Sequence, residues 1–286
     1  MAEVWRGLPV AKALTEQLIQ RREKLKERGV TPTLAIVRAG NKGDDIAYEN
    51  GAMKRCEKIG IQVRRFLLPE DCTEEQLLNV IREINMDDTI HGCLLFRPMP
   101  DRAIQAKACA LLNPDKDSDG MTPQSLATLF TGTGSGYPPC TAEACMEILD
   151  YYGVELEGKN VTVIGRSLVV GKPVSMMLQA RNATVTMCHT RTKDLPAVCR
   201  NAEILVSTAG RAEMVRKEFL SPGQIVIDVG INADDEGNLF GDVAFAEAEE
   251  IVSAITPVPG GVGSVTTAVL AKHVIMTAEK MTGIRR

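Results

Sequence analysis

The feature that most constrains this chain is a repeated change of hydrophobic period. Short apolar runs of strand length are each followed by a stretch with helical spacing. "TLAIVRAG" ends in Gly40 and leads into a helix expected from about Asp44 to Ile59. "GIQVRRFLL" is a strand, "TEEQLLNVIREIN" a helix opened by Thr73 as N-cap, and "GCLLFRP" a strand. A first helix is expected from Leu8 to Lys26, with Leu14, Leu18 and Leu25 on one face. Alternation of this kind predicts βα units and mostly parallel sheets, an α/β fold.

The length of 286 residues suits about two domains. "LFTGTGSGYPPCTAEA", rich in Gly, Ser, Thr and Pro, is the expected junction, with Thr141 capping the helix that follows. A second alternating series begins at "KNVTVIG". It runs through a helix from Val170, the strand "ATVTMCH", a short helix near Asp194 and the strands "AEILVST" and "GQIVIDVG". "VTTAVLAKHVIMTAEKM" is a long final helix.

A net charge of −4 argues against a broad nucleic-acid or anionic-membrane surface. No run approaches the roughly 18 uninterrupted apolar residues of a membrane span, and the N-terminus lacks a signal-peptide layout. The expected location is the cytoplasm. The eight cysteines are scattered with no C-x-x-C pair, so reduced core thiols are expected, with neither a disulfide framework nor a structural zinc site. Asp115, Asp117 and Asp119 lack the further acids of a calcium loop, so no metal is expected.

The sharpest local signal is "VTVIGRSLVVGKPVSMML". An apolar strand runs into Gly165, and Gly171-Lys172-Pro173 opens a helix, whose free N–H groups and partial positive charge suit a diphosphate. Pro173 fits a first turn. The glycines are not spaced as G-x-G-x-x-G, and a plain tight turn remains the alternative. The next strand ends "CHTRTKDL": Thr190, Arg191 and Lys193, with Arg166 in the first turn, and no acid at the strand end. Basic groups there favour the 2′-phosphate of NADP over NAD, although Arg191 and Lys193 also suit a solvated loop. His189 reads as a packing or loop residue.

Several segments together resemble the methylenetetrahydrofolate dehydrogenase/methenyltetrahydrofolate cyclohydrolase family. They are "PDKDSDG", "PPCTAEA", "VIGRSLVVGKP", "ATVTMCHTRTKDL", "DVGIN", "GDVAF" and "ITPVPGGVGSVTTAVL", in family order and spacing. The resemblance implies two α/β domains, each with a mostly parallel sheet flanked by helices, the second Rossmann-like. Residues 1–140, completed by the C-terminal helix 264–286, would form the folate domain, and 141–263 the NAD(P) domain. It also implies a homodimer, a tetrahydrofolate derivative as substrate and NADP as cofactor. Gly165, Arg166, Ser167 and Gly171 would hold the cofactor together with Thr190, Arg191 and Ile231. Pro259, Gly260 and Gly261 would contact folate, as would Asp45, Phe96 and Pro98. Tyr48 and Asp119 would be the catalytic pair, Asp119 also holding the pterin ring.

The sequence departs from the family at two places. The family motif has a tyrosine followed four residues later by a lysine; in "DDIAYENGAMKRCEKIGI" the tyrosine is Tyr48 and the lysine position is Ala52. The serine normally three residues before the tyrosine is Asp45. The family's Gln-Leu-Pro-Leu-Pro reads "FRPMP", so the glutamine is Phe96 and the next residue Arg97. In the family that lysine is held chiefly responsible for the cyclohydrolase step. Two replacement acid/base groups are open, Lys54 and Arg97. Lys54 lies two residues, about 200° of helix, from the lost lysine, and a surface charge is the plainer reading. Asp45 and Glu49 are either helix-surface acids or the lining of an altered pocket.

The resulting expectation is NADP-dependent oxidation of 5,10-methylenetetrahydrofolate to the methenyl form with a weak or absent cyclohydrolase step. The alternatives are a full bifunctional enzyme with a relocated acid/base, and a silent relative that binds folate or nucleotide.

Overall fold

The computed structural model describes residues 1–99, 101–234 and 236–283. Pro100 of "FRPMP" and the last three residues of the expected C-terminal helix lie outside the described residues. The chain divides into two compact units. One comprises residues 13–140 and 267–286, the other residues 1–12 and 141–266.

In chain order, the first half contains β1 (Glu3–Val4), α1 (Gly7–Glu27), β2 (Thr33–Ala39), α2 (Gly43–Ile59) and β3 (Gln62–Leu68). α3 (Glu74–Met86), β4 (Gly92–Leu95), α4 (Arg102–Leu111) and α5 (Pro123–Thr131) follow. In the unit built on residues 13–140, β3, β2 and β4 form a parallel sheet in that order. β2 is buried along its whole length, as a central parallel strand covered on both faces must be. α3 opens with a capping box between Thr73 and Gln76 and lays Leu77, Ile81 and Ile84, all fully buried, against Ala35, Val37 and Leu95. Each such side chain contributes roughly 1.5–3 kcal/mol by leaving water.

The second half contains α6 (Cys140–Tyr151), β5 (Asn160–Ile164), α7 (Gly171–Ala180), β6 (Thr184–Cys188), α8 (Leu195–Arg200), β7 (Ile204–Ser207) and β8 (Ile225–Asp228). The ribbon β9 (Asn232–Ala233) and β10 (Leu239–Phe240) follows, then α9 (Phe245–Ala248), β11 (Ala254–Ile255) and α10 (Thr266–Met281). Here a parallel six-stranded sheet runs β1-β11-β8-β7-β5-β6. Its core includes Leu205, Val226, Phe219 and Ile255.

Three expectations need correction. Residues 1–12, expected with the first domain, group with 141–266, because β1 pairs with β11 and Gly7 N donates to Gly260 O at 2.8 Å. β4 stops at Leu95 rather than running to Pro98, where a proline has no N–H for the ladder. α6 begins at Cys140, so Thr141 lies inside its first turn instead of capping it. All eight cysteines are free, and seven are buried.

Candidate active site

In open parallel sheets, ligands gather at the carboxyl ends of the strands. In the unit of residues 13–140, the end of β2 leads into α2, and the end of β4 into Phe96-Arg97-Pro98. The Tyr48 and Phe96 rings meet edge to face at 6.0 Å. Phe96 is 9% exposed, Tyr48 and Asp45 are half-buried and Pro98 is exposed. Ala52 is fully buried and lies on the inner face of α2 with Glu49, Cys56 and Ile59. Lys54 is exposed, so the helix carries it away from the position of the missing lysine.

Glu49 is neither a surface acid nor a bare negative charge in the pocket. It is 1% exposed and accepts from Arg38 Nε at 2.7 Å and Arg65 Nε at 2.5 Å. Arg38 also donates to Asn41 Oδ1 at 2.9 Å and to Gly40 O.

The acids of "PDKDSDG" divide by partner. Asp117 is consumed by the loop itself, accepting from Met121 N, Thr122 N and Ser125 Oγ at 3.0, 2.7 and 2.6 Å. Asp115 pairs with Lys280 of α10. Asp119 faces Arg97, whose Nη2 donates to Oδ2 at 3.2 Å. Burial pushes the Asp119 carboxyl above its ordinary pKa, against the pull of the Arg97 charge. Behind the loop, His273 Nδ1 donates to Ser118 O at 2.7 Å, and its ring stacks on Tyr137 at 4.5 Å.

In the other unit, Gly165 (φ 117°) makes the turn after β5. A Cβ at Gly171 would stand 2.4 Å from Gly165 O, so glycine is required where α7 starts against that turn. Ser167 Oγ accepts from Val170 N at 3.1 Å and Gly171 N at 3.4 Å, shaping the loop. The side chains of Arg166, Thr190 and Arg191 are exposed. His189 is a loop organiser: its N donates to Thr192 Oγ1 and its Nδ1 accepts from Arg191 N. This cradle, with a helix N-terminus behind glycine backbone, fits a dinucleotide diphosphate.

Within the same unit a cavity of ≈ 260 Å³ is lined by Gly230, Ile231, Pro259, Gly260, Gly261 and Asp228, among others. Ile231 is 65% exposed. Asp228 was not singled out from sequence, although an acid closing the apolar run "IVIDVG" was a usable signal. It accepts from Gly230 N, Asp242 N and Val243 N, yet burial raises its carboxyl from 3.8 to about 7.

Residues 5–119 match the family description "Tetrahydrofolate dehydrogenase/cyclohydrolase, catalytic domain", and residues 139–282 the "NAD(P)-binding domain" of the same family. The chain is 50% identical over 286 residues to the "Bifunctional protein FolD" of Carboxydothermus hydrogenoformans, covering 99% of this chain and 100% of that one. Its counterpart in Alkaliphilus oremlandii is 49% identical, with 96% of each chain covered. Among solved structures, the bifunctional FolD of Campylobacter jejuni superposes with a TM-score of 0.94 at 35% identity, covering 98% of this chain and 99% of that one. The Trypanosoma brucei FolD, complexed with NADP and an inhibitor, gives 0.92 at 33% identity, covering 100% and 99%. This chain therefore belongs to the tetrahydrofolate dehydrogenase/cyclohydrolase family.

Proposed function

We propose that this protein oxidises 5,10-methylenetetrahydrofolate with NADP and also opens the methenyl product to 10-formyltetrahydrofolate. Arg97 serves as the cation of the folate site in place of the missing lysine. The observation that carries the reading is the Arg97–Asp119 pair, formed at the carboxyl end of β4 beside the Tyr48–Phe96 contact. The relatives named bifunctional, at 49% and 50% identity, support the two-step reading over oxidation alone.

When bound, NADP accepts the hydride from the folate methylene carbon. The chain's own part in that step is positioning. Tyr48 and Phe96 pack the folate, Asp119 holds the pterin, and the Gly165–Gly171 turn with Arg166, Thr190 and Arg191 holds the nucleotide. In the second step water adds to the bridging carbon and loses one proton to solvent. The C–N5 bond then breaks as the carbinol proton passes to N5. A guanidinium is a donor with no acceptor, so Arg97 acts through charge and orientation rather than by trading protons. Tyr48 is the retained hydroxyl of the motif. The exposed apolar Leu239 and Phe240 of the β9–β10 ribbon support a homodimer, and a cytoplasmic location goes with the same reading.

Oxidation alone is the second reading, favoured by the closed, fully buried Ala52 and by Phe96, neither of which handles a proton. One reaction separates them, with reduced cofactor and methenyl-folate followed together. The two-step reading expects methenyl-folate to decay faster than in enzyme-free buffer. Arg97→Leu at saturating folate should slow that decay more than it slows oxidation. Decay at the buffer rate leaves the dehydrogenase alone, and no cofactor reduction would sink both readings.

A further inference from the structure

Arg97 stands where the family's Gln-Leu-Pro-Leu-Pro signature has an aliphatic leucine, so it brings donors to a site otherwise furnished with an acceptor. The pair with Asp119 is not sealed, since the side chains are 24% and 23% exposed. At 3.2 Å it is longer than the ~2.7–2.9 Å of a tight charge-assisted bond. The guanidinium also has donors in excess. Its Nε is buried and finds no acceptor among the described residues. A guanidinium carries five N–H donors in a fixed plane, and one left without a partner favours any ligand that supplies an oxygen nearby. Asp117 cannot answer that need, because its oxygens are taken by Met121 N, Thr122 N and Ser125 Oγ.

We propose that Arg97 and Asp119 together read the 2-amino-4-oxo edge of the pterin ring, which makes Arg97 the residue that selects an oxo over an amino group at ring position 4. The inference rests on the tetrahydrofolate reading above. That edge presents an acceptor and two donors in a row: the 4-oxo oxygen, the N3–H and the 2-amino group. A carboxylate alone matches only the two donors. A carboxylate with a guanidinium at its side matches all three. A 4-amino ring replaces the acceptor by a donor and is more basic, so it meets Arg97 with a like charge and no bond. The 4-oxo oxygen also lies peri to N5, the nitrogen that bears the one-carbon bridge. The contact that reads the ring therefore brings positive charge beside the atom that takes up the electron pair when the bridge opens.

The test is calorimetric binding to the full-length protein of tetrahydrofolate and of its 4-amino counterpart, using wild type, Arg97→Leu and Arg97→Lys. NADP affinity serves as the control for folding. Wild type should prefer the oxo compound by at least about tenfold, the scale of one hydrogen bond to a charged group. Arg97→Leu should lose most of that preference while NADP affinity holds. Arg97→Lys should keep part of it. Tighter oxo binding by Arg97→Leu would overturn the proposal, by making Arg97 a competitor for Asp119. An equal loss for both compounds would overturn it as well. Binding of both without discrimination overturns this inference alone, whereas binding of neither by wild type removes the tetrahydrofolate reading together with it.

Discussion

Glu49 Oε2 accepts a hydrogen bond from Arg38 Nε at 2.7 Å, and the two side chains are 2% and 4% exposed. Arg65 closes on the other carboxylate oxygen. One buried carboxylate thus answers two guanidinium groups, one from β2 and one from β3, and ties the first half of α2 to the sheet. Tyr48 is the neighbouring residue, so this cluster fixes the backbone from which the tyrosine projects.

Removing Glu49 leaves two guanidiniums without their anion. Glu49→Ala should destabilise the protein by about 3–5 kcal/mol, because breaking a buried pair strands a charge. Arg38→Met with Glu49→Leu should recover most of the loss. Urea unfolding of the three proteins checks this; a loss below about 1 kcal/mol for Glu49→Ala would refute the buried-pair argument.

Arg166 should contact the 2′-phosphate of NADP. A charge-assisted contact is worth roughly 1.5–3 kcal/mol, so Arg166→Ala should raise the KM for NADP by about tenfold or more and leave that for NAD nearly unchanged. Steady-state kinetics with both cofactors decides it, and equal effects on the two would reject the assignment.

His273 should position Asp119 through Ser118 O. His273→Phe keeps a ring for Tyr137 to stack on but removes the donor, at a cost of roughly 1–2 kcal/mol in stability. The KM for folate should rise several-fold with kcat little changed and the KM for NADP untouched. Lost stability with an unaltered folate KM would reduce His273 to a packing residue.

Asp228 makes a pH prediction. Its folded-state carboxyl titrates at about 7 against 3.8 as the ordinary value, with burial as the main cause. A raised pKa means that the folded form retains a proton the unfolded form has lost. The contribution of this group is therefore greatest below about pH 4, falls as pH rises through that window, and levels off above about 7. The steepest slope is about 1.4 kcal/mol per pH unit. Unfolding free energies of wild type minus Asp228→Ala should follow this curve; a difference that stays flat with pH would contradict it.

Local signals made much of the molecule legible. Thr73 three residues before Gln76, with Leu77, Ile81 and Ile84 at helical spacing, announced α3. Gly165 and Gly171 announced the turn before α7. Residues whose meaning depends on distant partners were not legible. Arg38 sits inside the apolar run of β2, and only the fold brings Glu49 and Arg65 to it. Glu49 could be read as a surface acid because a helix period does not say which charge has a partner inside. β1 and β11 are two residues each, too short to carry a period. Motif resemblance nominated Tyr48, Phe96 and Asp119, whereas the ion pair of Arg97 with Asp119 emerges only from the fold.

The pairing of Glu3 with Ala254 and Val4 with Ile255 sets the order in which this molecule can be finished. A ribosome adds about 5–20 residues per second, so the first strand waits on the order of ten seconds or more before its partner exists. During that interval an apolar Trp5 and the unpaired edge beside it are available to chaperones, and the dinucleotide unit cannot close before its last strand has left the exit tunnel. The speed at which the stretch between Val4 and Ala254 is translated therefore governs how long this edge stays unpaired.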